Sequence, residues 1–247
     1  MIRLTNVTKK YGDIVAVHNL SLHVFPGEVF GFLGPNGAGK TTTLKMLSGL
    51  LEPTAGEIKV AGYDIIKEAL SAKKEIAFVP DKPFIYEKLT GREFLEFVRD
   101  IYGVNGDNAI TEKQNRLINL FSLDDWLDEL VESYSHGMRQ KLIITSALIH
   151  NPQALIIDEP MVGLDARGAK QVKELFVSAA KEGTTVLVST HTMAVAQEVC
   201  DRIGILNKGE LVAVGTVDEL RDKAGGVADD LESIFLALTE GDAAQDR

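Results

Sequence analysis

An α/β fold round a parallel sheet, opening with antiparallel strands and interrupted later by a helical block, is what the order of segments in this sequence predicts. Three observations carry that reading. Apolar runs at 29–33, 154–158 and 185–189 are too short for helices and read as buried strands. Helical periodicity separates the last two, the strand–helix–strand rhythm of a sheet covered on both faces. A glycine-rich loop lies between the first of these runs and a helical segment.

The segments follow in order. Ile2 to Val7, Ile14 to Leu20 and Ser21 to Val24 show short apolar alternation, with Tyr11-Gly12-Asp13 as a turn. Val29 to Leu33 is a buried strand and Thr42 to Leu51 a helix. Glu57 to Gly62 is a short strand closing on glycine, and Ile76 to Val79 a strand stopped by Pro80. From Thr90 the period turns helical, with Phe94, Phe97, Val98 and Ile101 on one face, Phe94 and Phe97 being read as core. Residues 107–131 continue in that manner through Leu117, Leu120, Phe121 and Leu123. Ser135 caps a helix running to about His150, halted by Asn151-Pro152. Val172, Leu175, Phe176 and Ala179 mark a helix between the strands at Ala154 and Thr185. Arg202–Leu206 and Leu211–Gly215 flank a hairpin turn, and Leu231, Ile234, Phe235 and Leu238 share a last helical face. The polar tail after Thr239 reads as disordered.

Gly34-Pro35-Asn36-Gly37-Ala38-Gly39-Lys40-Thr41 fits the pattern G-x-x-x-x-G-K-[ST] in full, with a strand before it and a helix after it. Glycines let successive amides turn inward on a phosphate, and the new helix adds the positive end of its dipole. Lys40 would reach the β- and γ-phosphates of a nucleotide, and the Thr41 hydroxyl would meet Mg²⁺. A second signal is Asp158-Glu159 at the end of a buried strand, where α/β sheets bind ligands. Asp158 suits Mg²⁺, directly or through its water, and Glu159 suits orienting or deprotonating an attacking water. The third is Ser135-His136-Gly137, which reads either as a capped helix alone or as a second anion site, a serine hydroxyl and glycine-exposed helix start facing phosphate.

Bulk properties limit the partners. Acidic residues outnumber basic ones 36 to 26, against the balance of a chain that grips nucleic-acid backbone. The single cysteine, Cys200, cannot form an internal disulfide and suits a reducing, cytoplasmic setting. The first residues lack the apolar core of a signal peptide, and no stretch approaches the ~18 apolar residues of a membrane span. Any membrane role must come through a partner chain.

The third signal, standing shortly before Asp158, resembles the signature motif of ATP-binding-cassette (ABC) ATPases. Other stations of that family fall in order: Tyr11 matches the aromatic that stacks on adenine, Gly163-Leu164-Asp165 the D-loop, and Ser189-Thr190-His191 the switch histidine. The resemblance spans about residues 1–220. It implies a P-loop NTPase core of RecA-like type (1–83 and 153–221) with an N-terminal antiparallel β subdomain. A helical subdomain over 84–152 and a C-terminal helix and tail over 222–247 complete it.

Residue by residue, the resemblance implies that Gly34, Pro35, Asn36, Gly37, Ala38, Gly39, Lys40, Thr41 and Thr42 hold ATP, with Tyr11 on the base. Thr41, Asp158 and Asp81 serve Mg²⁺, Glu159 is the base, and His191 contacts the γ-phosphate. Ser135 and Gly137 act in trans, on the nucleotide of a second copy or a related subunit. The chain departs from the family at Asp81, where Gln is usual and Glu occurs, and at His136 and Met138, where Gly and Gln are usual. A bulky His136 limits backbone approach to phosphate, which implies reduced or partner-dependent hydrolysis with ATP binding intact.

Pro83 to Phe94, at the junction of core and helical block, stands where transporter ATPases receive a coupling helix; Phe84 and Tyr86 are the residues expected to dock it. That wording, with Leu231 to Leu238, is similar to ATPases of ABC-2-type exporters. The implied role is an ATPase subunit at the cytoplasmic face of the membrane, energising a separate transmembrane permease, in a homo- or heterodimer and without nucleic acid. A soluble ABC ATPase acting on ribosomes or DNA is the alternative, but such relatives carry two cassettes or a long coiled-coil insertion. A phosphotransferase would leave Ser135-His136-Gly137 unexplained.

Overall fold

The computed structural model describes residues 1–82, 84–226 and 230–240. Pro83 and the tail beyond residue 240, both part of the expectations above, lie outside them.

Strands β1 (Ile2–Tyr11) and β2 (Ile14–Val24) pair antiparallel round the Gly12-Asp13 turn. The sequence pattern divides β2 at Leu20; the structure runs it through as one strand. The break in alternation is absorbed by register shifts in the β1–β2 pairing, with Asn6 and Asn19 in left-handed backbone conformation. β3 (Val29–Leu33), buried at all five positions, leads into α1 (Lys40–Leu47). That helix starts two residues earlier than expected and stops sooner, because Gly49 follows it at φ +67°.

β4 (Ala55–Val60) pairs with β1, and the two-residue β5 (Tyr63–Asp64) with β4, giving the antiparallel sheet β2-β1-β4-β5. A short α2 (Ala69–Lys74), absent from the sequence reading, precedes β6 (Ile76–Val79).

The helical block follows. α3 (Gly91–Tyr102) opens on a capping box of Thr90 and Glu93 and closes on Gly103. α4 (Asn108–Phe121) is capped by Asp107. The helical pattern expected to run to 131 ends at Ser122, which adopts φ +55°; only single 3₁₀ turns at Asp124–Trp126 and Val131–Ser133 continue it. α5 (His136–Leu148) starts at the predicted cap, Ser135.

The chain then returns through β7 (Ala154–Asp158), α6 (Ala166–Lys181), β8 (Thr185–Thr190), α7 (Met193–Val199), β9 (Arg202–Asn207) and β10 (Glu210–Gly215). α8 (Val217–Lys223), with a capping box from Thr216 and Glu219, and α9 (Leu231–Glu240) finish it. The second sheet has the order β10-β9-β3-β8-β7-β6, with every pairing parallel except the β10–β9 hairpin.

Alternation along β7 shows how the core divides. Leu155 and Ile157 pack on one face with α5, α6 and the helical block; Ala154 and Ile156 pack on the other with α1 and the antiparallel sheet. β3, β8 and β7 are consecutive neighbours in the sheet, so their C-terminal ends open side by side.

Candidate functional site

The loop between β3 and α1 is held by its own glycines. Gly37 and Gly39 lie at φ +82° and +101°, where a Cβ is unfavourable. A Cβ on Gly34 would stand 2.4 Å from the Leu206 carbonyl oxygen, so that position is closed to any larger residue. The loop encloses a cavity of about 160 Å³ lined by Pro35, Asn36, Gly37, Gly39, Lys40, Thr41, Thr42 and, from β2, Ala16. Lys40 is 7% exposed, and its Nζ donates to the carbonyls of Gly34 at 2.6 Å and Pro35 at 3.1 Å. No carboxylate bonds to this ammonium among the described residues. Burial lowers its pKa, and the charges of Glu159 and Asp158 work the other way. A buried cation with only neutral acceptors, in a glycine-rich loop at a helix start, fits a polyphosphate.

Thr41, Asp158 and Ser189 meet beside this cradle. Thr41 Oγ1 donates to Asp158 Oδ2 at 2.7 Å, and the Ser189 hydroxyl donates to Asp158 Oδ1. Asp158 is 2% exposed, so both its oxygens are fixed. A hydroxyl and a carboxylate are the hard oxygen donors that Mg²⁺ takes, alongside water and phosphate. The next residue, Glu159, is held at φ +49°, its N–H bonded to the Ser189 carbonyl at 3.1 Å. Non-glycine residues held there carry strain and cluster at functional sites. His191 Nδ1 donates to Glu159 Oε1 at 2.8 Å; the carboxylate is largely shielded while the ring is exposed. The strand ends thus gather a cation, two fixed carboxylates and an imidazole within one chain.

The remaining expected residues stand apart from this cluster. Tyr11 is 48% exposed on the β1–β2 hairpin with Lys9 Nζ 5.2 Å from its ring centroid, outside the phosphate cavity. Asp81 is exposed in the turn after β6, and no hydrogen bond ties it to Thr41 or Asp158. Ser135 caps α5 by accepting from the Met138 N–H at 3.3 Å, and is otherwise exposed. The His136 ring lies over Gly163, so closely that a Cβ there would fall 1.8 Å from its Cδ2. Asp165 caps α6 through the Gly168 N–H.

A second concavity, about 960 Å³, opens between the segment at 82–89 and α5, lined by Phe84, Tyr86, Phe97, His136, Arg139 and Ile143 among others. Phe84 is 83% exposed and meets Tyr86 edge-on, and Tyr86 meets Phe97 likewise. Phe94 is core as expected. Phe97 is not: it is 38% exposed, because its helical face turns to this groove instead of the interior.

Sequence reasoning missed Ser189 as a partner of Asp158, although its place one strand over follows from the parallel register Asp158↔Ser189. It also missed Ala16 as a wall of the cradle; an alanine in an alternating strand carries no signal of that kind.

These features define a P-loop nucleotide triphosphatase, and no residue of α5 lines its nucleotide-loop cavity. Residues 17–162 match the family described as ABC transporter. The chain is 38% identical over 226 residues to the linearmycin resistance ATP-binding protein LnrL of Bacillus subtilis (strain 168), spanning 92% of this chain and 72% of that protein. It superposes on a solved ATP-binding subunit of an ABC transporter with a TM-score of 0.91 at 30% identity, over 96% of this chain and 99% of the other. A dimeric bacterial ABC transporter cassette superposes with a TM-score of 0.79 at 27% identity, over 88% of this chain and 99% of the other. The chain belongs to the ABC transporter family, as an ATP-binding subunit and ATPase.

Proposed function

We propose that this chain drives export through a transmembrane partner, hydrolysing MgATP between the phosphate loop of one ATPase copy and the start of α5 of another. The core (1–83 and 153–221) is the engine, and the helical block (84–152) carries both α5 and the groove that seats the partner. Among the described residues no helix is long and apolar enough to cross a membrane. The partner therefore supplies the span, and it holds this chain at the cytoplasmic face. A likeness to a resistance ATP-binding protein supports efflux over uptake.

In this reading the loop amides and Lys40 bind the β- and γ-phosphates, and Tyr11 meets the base. Thr41, Asp158 and Asp81 would hold Mg²⁺, which would neutralise phosphate charge when bound. Glu159 accepts a proton from the attacking water, and His191 holds that carboxylate in place from its exposed side. Ser135 and Gly137 of the second copy close over the γ-phosphate, so hydrolysis waits on dimer closure. The observation that carries the reading is the buried Lys40, an ammonium answered only by carbonyls and lining the cavity of the glycine-rich loop.

Purification of the tagged chain from membranes in mild detergent tests it. Stoichiometric recovery of a multispan protein, with ATPase activity altered by its presence, is expected. Recovery of ribosomes or DNA in its place contradicts the transport role.

A further inference from the structure

His136 and Arg139, both in the first turns of α5, line the groove, and Arg139 also ties α5 to its opposite wall. Arg139 stands four residues after the cap Ser135, so its Cα lies one turn into the helix. Its guanidinium reaches two separate points outside α5: Nη1 donates to Glu87 Oε1 at 2.6 Å, and Nη2 to the Glu132 carbonyl at 2.8 Å. Its Nε is buried without a hydrogen-bond partner among the described residues. Lys88 Nζ meets Glu132 Oε2 at 2.5 Å, which braces the same corner. Glu87 follows Tyr86 on one wall of the groove, and Arg139, with Ile143, forms part of the other.

An ion pair at this level of exposure adds little stability. What a two-point guanidinium contact adds is geometry, because the planar fork fixes direction as well as distance. The α5 start carries Ser135 and Gly137, and its only side-chain cap is Ser135 itself. From Gln140 on the helix is packed in the core, so what Glu87 can bias through Arg139 is the first turn, with Ser135 and Gly137. Tyr86, beside Glu87, is in ring contact with Phe97 and with the exposed Phe84. Anything that seats on these rings acts on the segment that holds Arg139.

We propose that Arg139 is a positioning residue that couples the groove to α5, so that filling the groove sets how Ser135 and Gly137 are presented to the nucleotide of a second copy. This rests on the reading that the groove seats the partner and that α5 acts in trans. Coupling of this kind is reciprocal: closure of the dimer must also be felt at the groove wall.

The test uses the 247-residue chain carrying Glu159→Gln, which slows hydrolysis so that the ATP state accumulates. Sedimentation with MgATP measures dimerisation, and a fluorescent ATP analogue at low protein concentration measures affinity for the monomer. Arg139→Ala is expected to weaken dimerisation about tenfold and Glu87→Gln severalfold, with the double variant no worse than Arg139→Ala, as for residues acting through one contact. Arg139→Lys is expected to recover part of the loss. Monomer affinity and melting temperature should match the parent, which a merely structural role would not allow. Should Arg139→Ala fold poorly, Glu87→Gln carries the test, since Glu87 is exposed.

Reciprocity is read at the groove. An environment-sensitive dye on Phe84→Cys is selective, because Cys200 is only partly exposed and desolvation pushes its thiol pKa up to about 12. Its emission should shift on adding MgATP to the parent and stay constant with Arg139→Ala. Variants that dimerise like the parent, losses that multiply in the double variant, or a dye shift that persists without Arg139 would each overturn this inference alone. A parent that stays monomeric in MgATP overturns the trans reading, and this inference with it.

Discussion

Two helix starts, those of α1 and α5, have the same backbone potential for anions and opposite surroundings. α1 opens on Gly39 in a left-handed conformation without any side-chain cap, and the residue after it, Lys40, is buried under its own loop. α5 opens on a serine that caps it in the ordinary way, leaving Ser135 and His136 exposed. The first start gathers Lys40, Thr41 and the carboxylate of Asp158 within one chain. The second is exposed at its cap, and Arg139 one turn on ties it to the Glu87 carboxylate and the Glu132 backbone carbonyl. In the proposed function the closed site binds by itself and the open one is completed by a second chain.

The comparison is broken most strongly at the closed site. Lys40→Ala is expected to weaken MgATP binding about a hundredfold, roughly 3 kcal/mol, the upper range for a hydrogen bond to a charged group. The nucleotide-free protein should melt no lower than the parent, because the variant removes a desolvated cation held only by carbonyls. Titration calorimetry and thermal melts check both halves; unchanged affinity would mean that the cradle is not the phosphate site.

A smaller effect sits just beyond the other end of α5. His150 follows its last turn, stacks on Tyr102 with ring centroids 3.7 Å apart, and lies near Lys113. Burial is the main cause that lowers its pKa to about 4 from an ordinary 6.5, with the charge of Lys113 adding to it. The unfolded chain takes up its proton as pH falls through about 6.5, while the folded chain resists until about 4. Stability from this group is therefore full above that range and lost progressively on acidification between the two values, by at most about 3 kcal/mol. His150→Gln should flatten that part of the stability–pH curve in urea melts. A slope that the variant leaves unchanged would place the acid sensitivity elsewhere.

Legibility from sequence differed between these regions for physical reasons. The loop 34–41 and the Asp158-Glu159 strand end were plain, since each function there demands a residue type at a fixed spacing along one segment. Ser135 was equally plain, because a cap is a local device. Contacts between segments were not. Ser189 on Asp158, His191 on Glu159 and Arg139 on Glu87 join residues far apart in the chain, and only sheet order and helix placement bring them together. The face of α3 was misjudged at Phe97 for a related reason: an apolar stripe says that something covers it, and does not say whether the cover is the same chain. The helix expected to continue to 131 failed at Ser122, where a left-handed residue overrode periodicity.

The central claim is that a nucleotide bound in the loop of one copy is closed over by the α5 start of another. Sedimentation of Glu159→Gln with MgATP, with and without Ser135→Arg, tests it most directly. The account predicts a dimer for the first and a monomer for the second, with equal affinity of the two monomers for the nucleotide. A Ser135→Arg chain that still dimerises in MgATP, or that loses affinity as a monomer, would contradict it.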